Sequence, residues 1–256
     1  MNKAIFITVR TGSTRLPKKA LIELNDGLAT IEYLIRRVKH SRKADGIILC
    51  TTTESADDIL VEIADRNGIN HFRGSKDDKL NRWLNAAEKF NVKSIVTADG
   101  DDLFCEPELI DLAFDQLEKG KADLIQSSGI ICGAFTYGIR VEALKKVCEI
   151  KNSEDTEMMW VYFTETGLFN VDELQNVPKQ YYRNDIRMTL DYQEDLDFFL
   201  KLLELWDNTT KYISLDKIIQ IIDKNPNLKE INFFRQKEFL KNQATRTNLR
   251  IKSNLL

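Results

Sequence analysis

The sequence predicts an α/β protein on a doubly wound, mostly parallel sheet, and three observations carry that prediction. Short apolar runs alternate with amphipathic helical stretches through the first half of the chain. Those runs are nearly continuous in apolar residues, as strands covered on both faces must be. Charged clusters follow directly after several of them, where open α/β sheets place their ligands.

The first strand is Ala4-Ile5-Phe6-Ile7-Thr8-Val9. Ile31, Leu34, Ile35 and Val38 then fall at helical spacing on one face. Gly46 to Thr51 is the second strand, and Ser55-x-x-Asp58 reads as a capping pair for a helix with Ile59, Leu60 and Ile63, closed by Gly68. Residues 69–72 form a short third strand. Leu80, Trp83, Leu84 and Ala87 mark a helix, with Ser75 or Asp77 as its cap, and Trp83 belongs to the core stripe. Ser94 to Ala98 is the fourth strand, Pro107 starts a helix that Gly120 stops, and residues 122–126 are the fifth strand.

The second half is less regular. A strand and turn are expected within 130–139, helices over 141–149 and 154–166, and strands at 169–171 and 186–190. A helix from Asp191 through Trp206 and another over 215–223 follow. No repeat, low-complexity stretch or Pro/Gly linker interrupts the chain, so a single domain over 1–235 is expected, followed by a basic tail over 236–256. That tail carries Lys237, Lys241, Arg246, Arg250 and Lys252 against Glu238 alone, and reads as a loosely held arm or an oligomer contact.

The 256 residues carry a net charge of −3, so bulk nucleic-acid binding is not indicated. No apolar run nears the ~20 residues that span a bilayer. Cys50, Cys105, Cys132 and Cys148 lie far apart without a CxxC pair, which reads as reduced thiols in a cytoplasmic protein.

Against that mildly acidic background, Arg10-Thr-Gly-Ser-Thr-Arg15-Leu-Pro-Lys18-Lys19 packs four cations into ten residues after the first strand. They repel one another unless an anion joins them. Arg10 and Arg15 suit phosphate oxygens, Lys19 offers a point charge, and Gly12 and Ser13 give a turn and a hydroxyl. A solvated basic loop would show the same residues. The loop is not a Walker A motif, since GxxxxGK[ST] is missing. Asp99-Gly100-Asp101-Asp102 follows the fourth strand, and Asp191, Glu194 and Asp195 follow the strand at 186–190. Carboxylates facing a phosphate loop suit Mg²⁺ held partly by phosphate oxygens. Taken alone, Asp-Gly-Asp is mostly turn chemistry and Asp191 mostly a helix N-cap; all three clusters at strand ends carry the joint reading. Arg73-Gly74-Ser75 is a second basic turn.

The pattern Arg10-x-Gly-Ser13-x-Arg15-Leu-Pro-x-Lys19-x-Leu21 resembles the N-terminal signature of the acylneuraminate and 3-deoxy-manno-octulosonate cytidylyltransferases, nearest the spore-coat polysaccharide protein F type. Thr51-Thr52-Thr53, Phe72-Arg73-Gly74-Ser75, Asp78-x-Leu80-x-Arg82 and Arg187-Met-Thr-Leu-Asp191-Tyr-x-Glu194-Asp195-Leu196 extend it over about residues 3–205. The resemblance implies a nucleotide-diphospho-sugar transferase fold (GT-A/Rossmann-like), CTP as donor, Mg²⁺, pyrophosphate release and a homodimer. It implies that Arg10, Gly12, Ser13, Arg15 and Lys19 hold the triphosphate, that Thr52, Arg73, Ser75 and Arg82 lie by the nucleotide, and that Asp101 and Asp191 bind metal. Asp99 reads as orienting the acceptor or the base. The acceptor would be a small anion: a sugar acid, a polyol phosphate or a phosphonate. A glycosyltransferase using a nucleotide sugar, and a non-catalytic nucleotide-binding protein, are the competing readings.

Overall fold

The computed structural model describes residues 1–24, 27–207 and 212–252. β1 (Lys3–Thr8), β2 (Gly46–Thr52), β3 (Asn70–Gly74) and β4 (Ser94–Asp99) are mutually parallel in the order β3-β2-β1-β4. β5 (Leu124–Gln126), β6 (Gly138–Arg140) and β7 (Val171–Glu173) extend the sheet as β4-β6-β5-β7, with β6 antiparallel to both neighbours. The intervening helices are α1 (Thr30–Val38), α2 (Asp58–Arg66), α3 (Lys79–Lys89), α4 (Pro107–Lys119), α5 (Val141–Ile150) and the short α6 (Val161–Thr164). α7 (Gln193–Glu204), α8 (Leu215–Lys224), α9 (Asn227–Asn232) and α10 (Gln236–Arg246) complete the chain.

Alternation along each strand divides the core into two layers. Ile5, Ile7, Leu49, Val96 and Ala98 face one cluster, to which α1, α4 and α7 contribute. Ala4, Phe6, Ile48, Cys50 and Ile95 face the other, against Leu80 and Trp83 of α3 and Leu144 of α5. Each such side chain, fully buried, contributes about 1.5–3 kcal/mol relative to exposure. Both faces are therefore closed, and ligand access is left to the strand ends.

The chain leaves β1 for β2 and β3 on one side, then returns to β4 on the other. The carboxyl ends of β1 and β4 therefore form a topological switch point, with Thr8 paired to Asp99. Gly100 makes the close approach possible. Its N–H donates to Thr8 O at 2.8 Å, and a Cβ there would stand 2.7 Å from Val9 Cβ.

Several expectations are corrected. Residues 186–190 join no sheet; they run extended, with one parallel bridge between Cys132 and Arg187. The helix expected over 154–166 is confined to Val161–Thr164. Ser55 does not cap α2; it opens a 3₁₀ turn, Ser55–Asp57. Asp78, not Ser75 or Asp77, caps α3 by accepting from Asn81 N at 3.1 Å. The left-handed residue in the basic loop is Lys18 (φ 54), whereas a Cβ at Gly12 would meet nothing within 4 Å. Residues 236–246 are helical and docked rather than a loose arm; residues 253–256 lie outside the described residues.

Gly133 sits at φ +89, and a Cβ there would fall 2.2 Å from Met188 O. Met188 N donates to Cys132 O at 2.8 Å, so this contact seats the segment carrying Asp191. The left-handed conformation alone costs an L-residue about 1–2 kcal/mol, and the backbone clash adds to it. Gly133→Ala is expected to lower Tm by at least about 4 °C, at roughly 2–4 °C per kcal/mol for a chain of this size. An unchanged melting curve would refute that reading of the turn.

Candidate active site

The basic loop is fixed at its start by a buried carboxylate. Asp57, 2% exposed, accepts from Thr11 N and Thr11 Oγ1, both at 2.7 Å, and from the Thr52 hydroxyl. Burial works to raise its pKa, but the hydrogen bonds from Thr52 and Thr11 outweigh it and hold the carboxyl below its usual value. Further along, Thr30 Oγ1 donates to Lys19 O and fixes the backbone at the far end.

Between those anchors the cations meet acids from distant elements. Arg15 Nη2 donates to Asp191 Oδ1. Lys19 Nζ bridges Asp101 Oδ2 at 2.6 Å and Asp191 Oδ1 at 2.9 Å. Arg10 pairs with Glu157 at 2.8 Å, and Lys79 with Asp99 at 3.1 Å. Arg187, almost fully buried, reaches Asp191 Oδ2 at 3.2 Å. The capping work at α7 falls to Asp195, which accepts from Asp191 N and Tyr192 N. Asp191 is thereby free of the N-cap role that its sequence position also allowed.

Two acids of the same site are driven in opposite directions. At Asp191, burial favours the neutral form, but Lys19 and Arg15 prevail and its pKa is lowered. At Asp101, burial dominates, Lys19 offsets it in part, and Asp191 and Asp99 add repulsion, so its pKa is raised. Asp102 is raised well above its usual range by burial and by Asp101 and Asp99. Pairs of acids pushed apart in this way are a mark of functional sites.

Asp99, Asp101 and Asp102 bring carboxylate oxygens within 4.8 Å of one another. Asp102 has no ion-pair partner among the described residues. Three hard oxygen donors, one of them buried with the Thr189 hydroxyl but no countercharge beside it, fit a divalent cation. Asp191, expected to share the metal with Asp101, lies outside that cluster; its charged partners are Arg15, Lys19 and Arg187.

A cavity of about 220 Å³ opens over the basic loop. Arg10, Gly12, Ser13, Arg15, Lys19, Arg82, Asp99 and Asp101 all line it. Arg82 is 4% exposed and its Nε has no partner. Thr52, Arg73 and Ser75 are not brought to that wall. Thr52 is spent on Asp57, and Arg73 on Asp58 and on the carbonyls of Thr52 and Glu54. Ser75 Oγ accepts from Asp78 N. Lys79 and Glu157 are site residues that the sequence reading misses, because only the fold brings them beside Asp99 and Arg10. Asp102 is legible in the acidic cluster after β4.

A second cavity of about 380 Å³ adjoins the first and contains Asp102 and Asp191 in its wall. The two share Arg15, Lys79, Asp99, Asp101, Glu157 and Arg246. The acidic cluster therefore stands at the border between two compartments, which suits transfer of a group from one bound molecule to another.

A family model described as Cytidylyltransferase matches residues 4–246. An uncharacterised protein of Methanocaldococcus jannaschii is 35% identical over 236 residues, 91% of this chain and 96% of its own. The spore coat polysaccharide biosynthesis protein SpsF of Bacillus subtilis is 29% identical over 235 residues, 88% of this chain and 96% of its own. The structure of a cytidylyltransferase from Leptospira borgpetersenii superposes with a TM-score of 0.80 at 27% identity, covering 89% of this chain and 96% of that one. The matched residues include the whole lining of both cavities, and the chain belongs to the cytidylyltransferase family, as a CTP-dependent enzyme.

Proposed function

We propose that this chain transfers CMP from CTP to a small anionic acceptor of the sugar-acid class, releasing pyrophosphate, in the biosynthesis of a surface polysaccharide. The observation that carries the reading is Lys19 bridging Asp101 and Asp191 where the two cavities meet. In this reading CTP lies in the first cavity, with Arg10, Ser13, Arg15 and Lys19 on the triphosphate and Arg82 toward the nucleoside. The acceptor lies in the second. Its hydroxyl oxygen attacks the α-phosphorus and releases its proton to water, the bond to the β-phosphate breaks, and pyrophosphate leaves with the electron pair. Arg15 and Lys19 neutralise the charge that grows on the leaving group.

Asp99, Asp101 and Asp102 would hold the ion, Mg²⁺ in this reading, which supplies charge neutralisation at the phosphates. Asp191 keeps Arg15 and Lys19 oriented, and their remaining N–H donors, with the Arg10 guanidinium, are offered to the triphosphate. Cytoplasmic location and a homodimer belong to the same proposal. No helix among the described residues is long and apolar enough to cross a membrane.

The test is a pyrophosphate-release assay with each of the four ribonucleoside triphosphates against a panel of sugar acids, polyol phosphates and phosphonates. Release is expected with CTP and a sugar acid. Equal rates with UTP, or release with no acceptor on the panel, would count against the reading.

A further inference from the structure

The last helix is held in an unusual way. α10 has no buried side chain, so no core holds it. Its anchors run instead to residues flanking Asp191. Gln236 Oε1 accepts from Arg187 Nη1 at 3.0 Å, Phe239 lies 4.5 Å under the Arg187 guanidinium, and Asn242 Nδ2 donates to Tyr192 Oη at 3.3 Å. The helix thereby becomes one wall of the second cavity.

Two of its side chains in that wall are uncommitted. Gln243 and Arg246 have no side-chain hydrogen bond or ion pair within the described residues. Arg246 also reaches the first cavity, so it stands near the border where the acceptor must meet the nucleotide. Ser127, Ser128, Thr136, Tyr137 and Trp160 also line that cavity, where the hydroxyls of Ser128 and Thr136, which donate to Glu173 and to Thr97 O, have lone pairs to offer a ligand.

We propose that α10 reads the acceptor, with Arg246 binding a carboxylate and Gln243 binding hydroxyl or amide groups of a polyhydroxylated acid. This rests on the reading of the chain as a CTP-dependent transferase. A single guanidinium matches one carboxylate by two parallel hydrogen bonds. A dianionic phosphate needs more positive charge than this cavity has to spare. Its other cations are committed elsewhere: Arg15 to Asp191 and the triphosphate, and Lys79 to Asp99. Neutral hydroxyl and amide walls suit a hydroxylated chain, whose own groups must all find partners once desolvated.

Calorimetry on the full chain with Mg²⁺ and a non-hydrolysable CTP analogue tests this. The probes are 3-deoxy-manno-octulosonate and N-acetylneuraminate, each with its methyl ester, and glycerol 3-phosphate. At least one free acid is expected to bind about tenfold or more tighter than its ester. Arg246→Gln is expected to bring that ratio below about threefold, while Gln243→Ala weakens acid and ester alike by about five- to tenfold. A merely structural role for the helix would leave the acid-to-ester ratio unchanged. The proposal is overturned if Arg246→Gln keeps the ratio, if glycerol 3-phosphate alone binds, or if no probe binds beside the bound analogue. Failure of the analogue to bind the unaltered chain overturns the transferase reading instead.

Discussion

Asp101→Asn is expected to keep the fold and lose CTP-dependent pyrophosphate release by about 10²–10³-fold or more, the scale of losing a group that organises transition-state charge. Asp101 stands on the border of both cavities, bonded to Lys19 and crowded by Asp99 and Asp102. The fold raises its pKa, chiefly through burial, so the folded carboxyl takes up a proton more readily than the unfolded one. Its ionised form therefore detracts from stability above the unfolded pKa, and removing the charge relieves repulsion. Tm in the absence of divalent ion should stay level or rise, while stabilisation by CTP with Mg²⁺ should shrink. Turnover near that of the unaltered chain would remove Asp101 from the mechanism. Collapse of the melting transition would show a structural role instead.

The parallel half of the fold was legible because its strands are buried on both faces and its helices carry one apolar stripe. Both patterns are local. Where the second half failed, the deciding contacts are distant in sequence. Ile186 to Leu190 is extended, as its residues suggest, but its backbone bonds go to Cys132 O and, through Leu190 N, to Asp101 O, so no ladder forms. The segment before Val161 is tied down by Thr156, whose hydroxyl donates to Asp78 Oδ1 and accepts from Leu80 N. α10 lacks an apolar stripe, and only the cluster around Arg187 explains why it docks. In the site, charge at a strand end was readable, but the direction of each side chain was not. Asp57 takes Thr52 away from the cavity, and Asp195 takes the cap of α7 away from Asp191. Neither exchange can be seen without the folded chain.

Replacing Lys19 with Met, which keeps the apolar stem and removes the charge, is expected to lower turnover by about 10²–10³-fold. Arg at this position should not restore it. The ammonium is 15% exposed and sits between two acceptors at 2.6 and 2.9 Å, on a backbone pinned by Thr30. A planar fork cannot take that compact place. Breaking a buried ion pair often costs about 3–5 kcal/mol when a charge is left uncompensated. Here the consequence divides between two acids. Asp191 keeps Arg15 and Arg187, so it stays ionised. Asp101 loses the partner that most lowers its pKa, and is pushed higher still. Its ionised form then weighs more heavily against the fold as pH rises through that raised value, and protonation relieves the cost as pH falls. The gap in Tm between the unaltered chain and Lys19→Met should therefore narrow as the pH is lowered and widen as it is raised. A gap that stays constant with pH would mean that Lys19 does not set the charge of Asp101, and the bridge between the two cavities would lose its electrostatic meaning.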